Sequence, residues 1–450
     1  MIRELLAARA GEDYDLYART INPLRVRIFR TIAFDRTWAR AEGQYLFDSD
    51  GNRYLDLLGG FGMFNVGRNN ARVREALSES LELDLPSSVQ IGASLLPGLL
   101  AERLLGLTPP RIQKVLFTGS GTEAVEAALK LGRAATRRQR VLSAEQSFHG
   151  LTLGSLSAAG DPHFRDRFEP LLPGFERVPF GDLDALEREL AKEDVALFLV
   201  EPVQGKGVNL PPAGYLEAAQ RLCRRYGTLF AVDEVQTGFG RTGRMFAYEH
   251  WNLEPDLVTV AKSLSGGYVP VGALLMSPQV FDAVFDSLER AFSHGSTFAP
   301  NELAMVAGLA TLEELERARL VERSARLGEL LLERAAPLVE EHAVVKDSRG
   351  LGLMWALEFA EPKAGSLAWR VMERVQTGLF AQLVVVPLFK RHRMLTQVAG
   401  HDLPVLKILP PLVVSEDDLE AFVEALGDVI AKATRPTRVA GLALRAAIAR

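Results

Sequence analysis

The chain has 450 residues, of which 48% are hydrophobic and 24% charged, and its formal net charge is -5 at pH 7. This length allows one large α/β domain with a smaller companion, and the composition excludes a disordered or fibrous chain. The charge balance lacks the basic excess of nucleic-acid-binding proteins. The chain has a single cysteine, Cys223, which excludes an internal disulfide and favours a cytoplasmic location.

Neither end of the chain has the pattern of an export signal or a membrane anchor. Charged residues interrupt residues 1–17, unlike a secretory leader, and no apolar run approaches the ~18 residues of a membrane span. Residues 435–450 form an Ala/Arg/Leu segment, for which a surface helix or a frayed tail is favoured over membrane-surface binding. We therefore expect no membrane partner.

The first predicted element after an N-terminal arm is a hairpin. In residues 44–58, two β-rich runs flank Asp50-Gly51, a turn pair whose backbone accepts positive φ. We assign this hairpin to a small α+β domain formed from both chain ends. The expected boundaries are 1–60 for the arm and part of the small domain, 61–330 for the large domain, and 331–450 for the rest of the small domain.

From about residue 112, short apolar runs alternate with amphipathic helices. Their spacing of about 30 residues is typical of strand-helix-strand crossovers. The pattern predicts a large α/β domain with a mostly parallel central sheet flanked by helices. A long charged helix, residues 314–339, is expected to lead into the C-terminal lobe. The predicted strands are residues 114–117, 195–200, 229–232 and 257–260.

A loop of small residues follows the first of these strands. Ser120, Gly121 and Thr122 directly precede a predicted helix, where free amides and the helix dipole favour a phosphate. Residues 119–124 also fit a Rossmann dinucleotide fingerprint, with Glu145 at a suitable distance, or their glycines simply turn the chain. The loop alone leaves these alternatives open.

Two ionisable residues close later strands, Asp233 after 229–232 and Lys262 after 257–260. A carboxylate against a pyridine nitrogen keeps that nitrogen protonated and makes the ring an electron sink. A lysine packed at a strand end can lose its charge and become a nucleophile. Taken singly, Asp233 also suits a helix cap or an ion pair, and Lys262 also suits a purely structural role.

Metal-dependent and serine-hydrolase chemistry find no support in the sequence. The seven histidines lack zinc-ligand spacing, and there is no G-x-S-x-G elbow. One histidine, His149, lies in the segment Ser147-Phe148-His149-Gly150 near a predicted helix. Phe148 either stacks on a planar ring or belongs to the core.

Several segments, in this order, together resemble the class III (ornithine/omega) aminotransferases, which have the fold type I architecture of pyridoxal phosphate (PLP) enzymes. The resemblance covers nearly the whole chain, and its motifs jointly are far more specific than each alone. They are residues 48–56, 201–205 and 233–243, the Lys262 segment, and residues 295–298 and 410–412.

The resemblance implies that the large domain binds PLP and that the chain moves amino groups. Lys262 would hold the cofactor as a Schiff base and shuttle a proton, and Asp233 would pair with the pyridinium nitrogen. Thr297 would complete the phosphate site of a neighbouring subunit, which implies a homodimer, with a tetramer as the alternative. The other implied cofactor contacts are Ser120, Gly121 and Thr122 at the phosphate, Phe148 and Val235 on the two ring faces, Gln236 by the ring hydroxyl, and His149 and Glu201 nearby.

The chain departs from the family pattern at two positions that bear on the substrate. Many relatives have a glutamate after E-P-x-Q-G and an arginine before P-P-L, and these two residues switch partners when glutamate binds. Here the positions hold Lys206 and Lys407, and two like charges cannot make that switch. Recognition of glutamate by the usual route is therefore not expected, although Lys407 can still contact a carboxylate.

An apolar cluster is expected near the substrate entrance. Phe61, Met63 and Phe64 form it, and Arg68 replaces the histidine usual after the glycine. Of these we name Phe61 and Phe64, with Lys407, as substrate-binding, while Met63 and Phe64 also suit the core. The expected donor is an amine or ω-amino acid with an apolar portion, and the acceptor an aldehyde or 2-oxo acid.

Three alternatives share parts of these motifs. An aminomutase or decarboxylase on the same fold would use all the cofactor residues. A Rossmann dehydrogenase would explain residues 119–124 but leave Lys262, Asp233 and Thr297 without a role. A non-catalytic PLP-binding regulator would need a DNA-binding segment, for which the sequence gives no sign.

Overall fold

The computed structural model describes residues 1–86, 92–363, 365–366, 369–370 and 377–434. The segment 435–450, expected to be a surface helix or a frayed tail, lies outside these residues. The strands are β1 Trp38–Glu42, β2 Tyr45–Asp48, β3 Arg53–Asp56, β4 Lys114–Thr118, β5 Arg140–Ala144, β6 Phe175–Val178, β7 Val195–Val200, β8 Leu229–Asp233, β9 Leu257–Val260, β10 Gly272–Met276, β11 Val345–Leu351, β12 Met354–Phe359, β13 Met394–Leu395, β14 Gln397–Val398 and β15 Val405–Ile408.

The helices lie mostly between and around these strands. None in the described part of the chain is long and apolar enough to cross a bilayer. They are α1 Ile2–Ala8, α2 Asp13–Thr20, α3 Pro23–Ile32, the single turn α4 Gly59–Gly62, α5 Ala71–Glu82, α6 Leu95–Leu105, α7 Gly121–Thr136, α8 Leu153–Ala158, α9 Pro162–Arg165, α10 Leu183–Leu190, α11 Tyr215–Arg225, α12 Pro278–Val284, α13 Glu302–Arg317, α14 Leu320–Glu341, α15 Leu379–His392 and α16 Glu416–Ala433, with short 3₁₀ turns at Ala247–Trp251, Lys262–Ser265 and Leu288–Arg290.

A seven-stranded sheet forms the centre of the molecule, in the order β4-β10-β9-β8-β7-β5-β6. Only β10 runs antiparallel to its neighbours, and the other pairs are parallel. Strands such as β7 are buried along their whole length because helices cover both faces. The predicted sheet and its four strands are confirmed, and with them the expected fold class.

The predicted hairpin is confirmed as β2 paired antiparallel with β3. Asp48 stabilises its turn, because its Oδ1 accepts hydrogen bonds from the amides of Asp50 and Asn52 at 3.1 and 2.8 Å, and Gly51 takes φ +80°. β3 also pairs in parallel with β13, so the first and last parts of the chain share one small sheet. A second small sheet has the order β11-β12-β15-β14. The domain boundaries at residues 60 and 330 stay a prediction.

The prediction of a single long helix over residues 314–339 is wrong. The chain forms α13, ends it at Arg317, and starts α14 at Leu320. Arg319 between them takes the left-handed φ of +49°, and α14 packs on β11. The apolar periodicity runs on across this break, and a non-glycine residue at positive φ leaves no signal in the sequence.

Candidate active site

The main cavity, of about 1020 Å³, lies at the carboxyl ends of the central strands. In an open parallel sheet this edge is where side chains that follow different strands converge. Of the fourteen residues that the sequence assigns to the cofactor or the substrate, twelve line this cavity: Phe61, Ser120, Gly121, Thr122, Phe148, His149, Glu201, Asp233, Val235, Gln236, Lys262 and Lys407.

The start of α7 forms one end of the cavity. Ser120 is its extended N-cap residue, and its Oγ accepts a hydrogen bond from the amide of Glu123 at 3.3 Å. A Cβ atom at Gly121 would lie 2.9 Å from Val235 Cγ1, so only glycine lets the helix approach Val235 this closely. The first amides of α7 and its positive dipole end make this loop suited to an anionic group.

Asp233 ends β8 with a buried carboxylate that holds three neighbours. Its Oδ1 accepts from Thr259 Oγ1 at 3.0 Å and from the Val235 amide at 3.1 Å, and its Oδ2 lies 2.7 Å from His149 Nδ1. Burial acts to lower the pKa of His149, but the hydrogen bond and charge of Asp233 outweigh it and raise that pKa. The carboxylate is therefore fixed in place beside a polarised imidazole.

Glu201 follows β7 and connects two loops of the site. Its carboxylate accepts from the Phe148 amide at 3.1 Å and from the Gly205 amide at 2.8 Å. Burial raises its pKa, while the neighbouring His149 acts in the opposite direction. Glu201 thus holds the loop that carries Phe148 and His149 against the sheet edge.

Lys262 begins a 3₁₀ turn after β9, with the left-handed φ of +43°. This backbone conformation is strained for lysine, and the Ser263 hydroxyl, which donates to Gly62 O at 3.0 Å, helps to hold it. Burial lowers the pKa of the Lys262 amine, and the charges of Asp233 and Glu201 only partly counter that effect. A larger uncharged fraction makes this amine a better nucleophile.

The residues lining the cavity fit a phosphate-bearing pyridine aldehyde. They supply one buried amine, one fixed carboxylate, the free amides of a helix start and an aromatic side chain at Phe148. Buried His149 Nε2 has no hydrogen-bond partner among the described residues, as expected where a further polar group belongs.

The two lysines that depart from the family pattern both line the cavity. Lys407 is buried, and its Nζ donates to Gly205 O at 2.6 Å and lies 3.4 Å from Gln236 Oε1. Burial lowers the pKa of Lys407 to about 7, and the charge of Lys262 acts in the same direction. Lys206 instead forms an ion pair with Asp161.

The other two of these fourteen residues, Phe64 and Thr297, do not line this cavity. The Arg68 guanidinium lies over the Phe64 ring, with its Cζ 4.0 Å from the ring centroid. The ring also packs closely on Gly267, where an added Cβ would lie 2.4 Å from it. Phe64 is therefore a packing residue, and Met63 lines the cavity in its place. Thr297 lies exposed on the surface, in a segment between α12 and α13.

Sequence reasoning missed the outer wall of the cavity, which we define as Phe164, His401 and Leu403. Phe164 belongs to α9, whereas His401 and Leu403 lie between β14 and β15. The Phe164 and His401 rings meet edge-on with centroids 5.5 Å apart. Only the Asp161-Pro162 helix start has a sequence signal, and it says nothing of this long-range contact.

Comparison with known proteins gives consistent matches over most of the chain. The family model for class-III aminotransferases matches residues 31–430. A putrescine aminotransferase of Pectobacterium atrosepticum is 39% identical over 88% of this chain and 82% of its own length. The aminotransferase PigE of a Serratia species is 35% identical over 93% of this chain, which spans 53% of PigE.

Solved structures agree with the sequence matches. The PLP-bound structure of an amine transaminase from an uncultivated Pseudomonas species has a TM-score of 0.78 and 32% identity, covering 88% of this chain and 95% of that chain.

Proposed function

Because this chain belongs to the class-III aminotransferases, which use PLP, we propose that it transfers the amino group of an aliphatic amine, diamine or ω-amino acid to an aldehyde or 2-oxo acid. Membership of this family rules out the interpretation of residues 119–124 as the dinucleotide-binding site of a dehydrogenase. A donor of the diamine class is also the one named for the relative that is 39% identical.

One observation carries the choice of substrate class. No arginine is among the described residues that line the cavity, so a substrate carboxylate meets no bidentate guanidinium there. Of the lysines that line the cavity besides Lys262, Lys206 is paired with Asp161 and Lys407 donates to Gly205 O. A donor without a carboxylate leaves no anionic group unpaired in such a cavity, so amines and diamines suit it best.

PLP, when bound, supplies an aldehyde that exchanges amino groups and a ring that accepts electron density. We assign its attachment to Lys262 Nζ, the amine whose pKa burial lowers. The same Nζ takes and returns the proton of the reacting carbon, because one flexible amine serves both as nucleophile and as general acid-base. Arginine could not replace it, since a guanidinium stays protonated.

We assign to Asp233 the partner role for the ring nitrogen. Its carboxylate is oriented by Thr259 and His149, so it stays in place as the charge distribution of the site changes. The start of α7, with Ser120, Gly121 and Thr122, is the proposed phosphate site. Phe148 and Val235 are proposed to pack on the cofactor ring, and Gln236 to contact its hydroxyl.

A second copy of the chain is proposed to complete the phosphate site with Thr297. The segment that carries Thr297 exposes large apolar side chains, with Phe292 89% and Phe298 73% accessible, as expected of a surface that another subunit covers. The proposal is a homodimer, to be tested by analytical ultracentrifugation; a monomer that binds PLP with full affinity would contradict it.

The test of the substrate class is a set of single-turnover half-reactions on the PLP-loaded protein. Alkyl amines, diamines, ω-amino acids and glutamate are each mixed with it, and the change in cofactor absorbance is followed. We expect amines and diamines to react with the highest second-order rate constants. A strict preference for short dicarboxylates would contradict the proposal.

A further inference from the structure

The outer wall depends on two loops that are far apart in the sequence. One loop contains Asp161 and α9, and the other, residues 399–404, connects β14 with β15. The loops meet where the His163 and His401 rings stack, with centroids 3.5 Å apart and planes 21° from parallel. Phe164 contacts His401 from the side and Phe148 with centroids 5.1 Å apart. The wall is therefore continuous with the aromatic side of the cofactor site.

Lys206 lies between these two loops and contacts both. Its Nζ pairs with Asp161 Oδ2, and only 12% of the lysine side chain and 10% of the aspartate side chain are accessible. The same Nζ lies 5.3 Å from the centre of the Phe164 ring, within the range of a cation–π contact. On the other loop, a Cβ at Gly400 would come within 2.5 Å of Lys206 Cε, so the lysine stem packs directly on that backbone.

Asp161 transmits the effect of this ion pair to the wall. While its Oδ2 faces Lys206, its Oδ1 accepts from the His163 amide at 2.9 Å and so caps α9. The orientation of α9, and with it the position of Phe164, therefore depends on a carboxylate that the lysine holds. A buried carboxylate deprived of its cation would turn toward water or another donor, and the cap would be lost.

From these contacts we infer that Lys206 is a positioning residue for substrate selectivity. By holding Asp161 and packing on Gly400, it keeps Phe164 and His401 together as an aromatic surface for the carbon chain of the substrate, remote from the reacting amine. Because Asp161 neutralises its charge, Lys206 does not serve as a carboxylate ligand. The inference rests on the proposed function, since it assumes an amine with an apolar portion.

The test compares amines of different chain length in the holoenzyme. Lys206→Met keeps the stem but removes the charge, Lys206→Arg keeps a cation, and Asp161→Asn keeps a cap acceptor but removes the partner charge. For each variant, kcat/KM is measured for hexylamine and for ethylamine. We expect the hexylamine-to-ethylamine ratio to fall about tenfold in Lys206→Met, through KM rather than kcat.

Three further results are expected. Lys206→Arg keeps the hexylamine-to-ethylamine ratio within about threefold of the wild-type value, because it retains a cation for Asp161. Asp161→Asn lowers the ratio as Lys206→Met does, and the double variant is no worse than either single one, as two residues acting as a unit require. Lys192→Met, which removes the exposed partner of Glu189, leaves the ratio unchanged.

A binding measurement separates selectivity from turnover. N,N-dimethylhexylamine, a tertiary amine that cannot react, is titrated calorimetrically into each holoenzyme, and we expect its affinity to fall in Lys206→Met and Asp161→Asn and to recover in Lys206→Arg. Equal losses for both amine lengths, or no recovery with arginine, would overturn the inference. A wild-type enzyme that accepts only dicarboxylates would instead overturn the proposed function. If Lys206→Met does not fold, Asp161→Asn and Lys206→Arg still decide between these outcomes.

Discussion

The cavity has two sides that are built differently. On the strand-end side, Ser120, Asp233 and Lys262 each lie at the end of a central strand or within two residues of it. On the outer wall, Phe164 and His401 come from two loops that are far apart in the sequence. The first group rests on a sheet that is buried on both faces and has little freedom to move. The second is held by one ion pair and by ring contacts. The comparison suggests that the chemistry is built on the sheet and the selectivity on the loops.

The largest effect should come from the strand-end side. Replacing Lys262 with alanine removes both the nucleophile and the proton carrier, so the rate of the half-reaction should fall on the order of 10⁴-fold. Lys262→Arg should not recover it. Stopped-flow absorbance with a diamine measures this rate, and Lys432→Ala, which changes a lysine paired with Asp428, serves as the control. A loss of only a few-fold would contradict the assignment of the chemistry to Lys262.

The next effect concerns the carboxylate of Asp233. Asp233→Asn keeps the shape of the side chain but removes its charge, and the half-reaction should slow by roughly 10² to 10³-fold. Because the hydrogen bond and charge of Asp233 are the main causes that raise the pKa of His149, this pKa should fall in the variant, and the imidazole should stay neutral to lower pH. NMR titration of the His149 ring follows the change. An unaltered His149 pKa would contradict the assigned contact.

The buried Lys407 should make the stability of the protein depend on pH. In the folded chain burial lowers its pKa from 10.5 to about 7, so between these values the unfolded chain binds one more proton than the folded one. The wild-type free energy of unfolding should therefore rise with pH across this window, relative to Lys407→Met, by about 1.4 kcal/mol per pH unit. Below pH 7 Lys407 is protonated in both the folded and the unfolded chain, so the difference in unfolding free energy between the wild type and Lys407→Met should level off.

Urea unfolding at several pH values within this window measures that slope. Lys390→Met, at an exposed lysine, is the matched control and should run parallel to the wild type. Parallel curves for Lys407→Met as well would show that the buried lysine keeps its proton.

The smallest expected effect lies at the surface. If Thr297 reaches the phosphate site of a second copy, Thr297→Ala removes one hydrogen bond and should weaken PLP binding about three- to tenfold, or about 1 kcal/mol. Fluorescence titration of the apo-protein gives this affinity. Ser293→Ala, in the same exposed segment, should have no effect. Equal affinities in all three proteins would remove Thr297 from the site.

The sequence predicts the strand-end side well and the loop side poorly, for a physical reason. Apolar runs locate the central strands, and the topology of a parallel sheet then brings Ser120, Asp233 and Lys262 to one edge without any further information. Nothing local indicates that His163 stacks on His401, or that Gly400 makes room for Lys206, because these contacts join residues about 200 positions apart in the chain.

Two departures from the predictions have the same cause. Phe64 was expected at the substrate entrance from its neighbours in the sequence, but the close packing of Gly60 and Gly267 places its ring beneath Arg68. The helix predicted over residues 314–339 breaks at Arg319 because tertiary packing favours a left-handed residue there. Patterns of hydrophobicity identify elements, whereas single backbone torsions are decided by packing.

The most direct test of the account is to reduce the PLP-loaded protein with borohydride, digest it, and locate the phosphopyridoxyl group by mass spectrometry. We predict that the label is found on Lys262 and that it is absent from Lys206 and Lys407, the other lysines among the described residues that line the cavity. A label on either of those lysines, or an unlabelled Lys262 in protein that retains PLP, would contradict the assignment of the cofactor to Lys262.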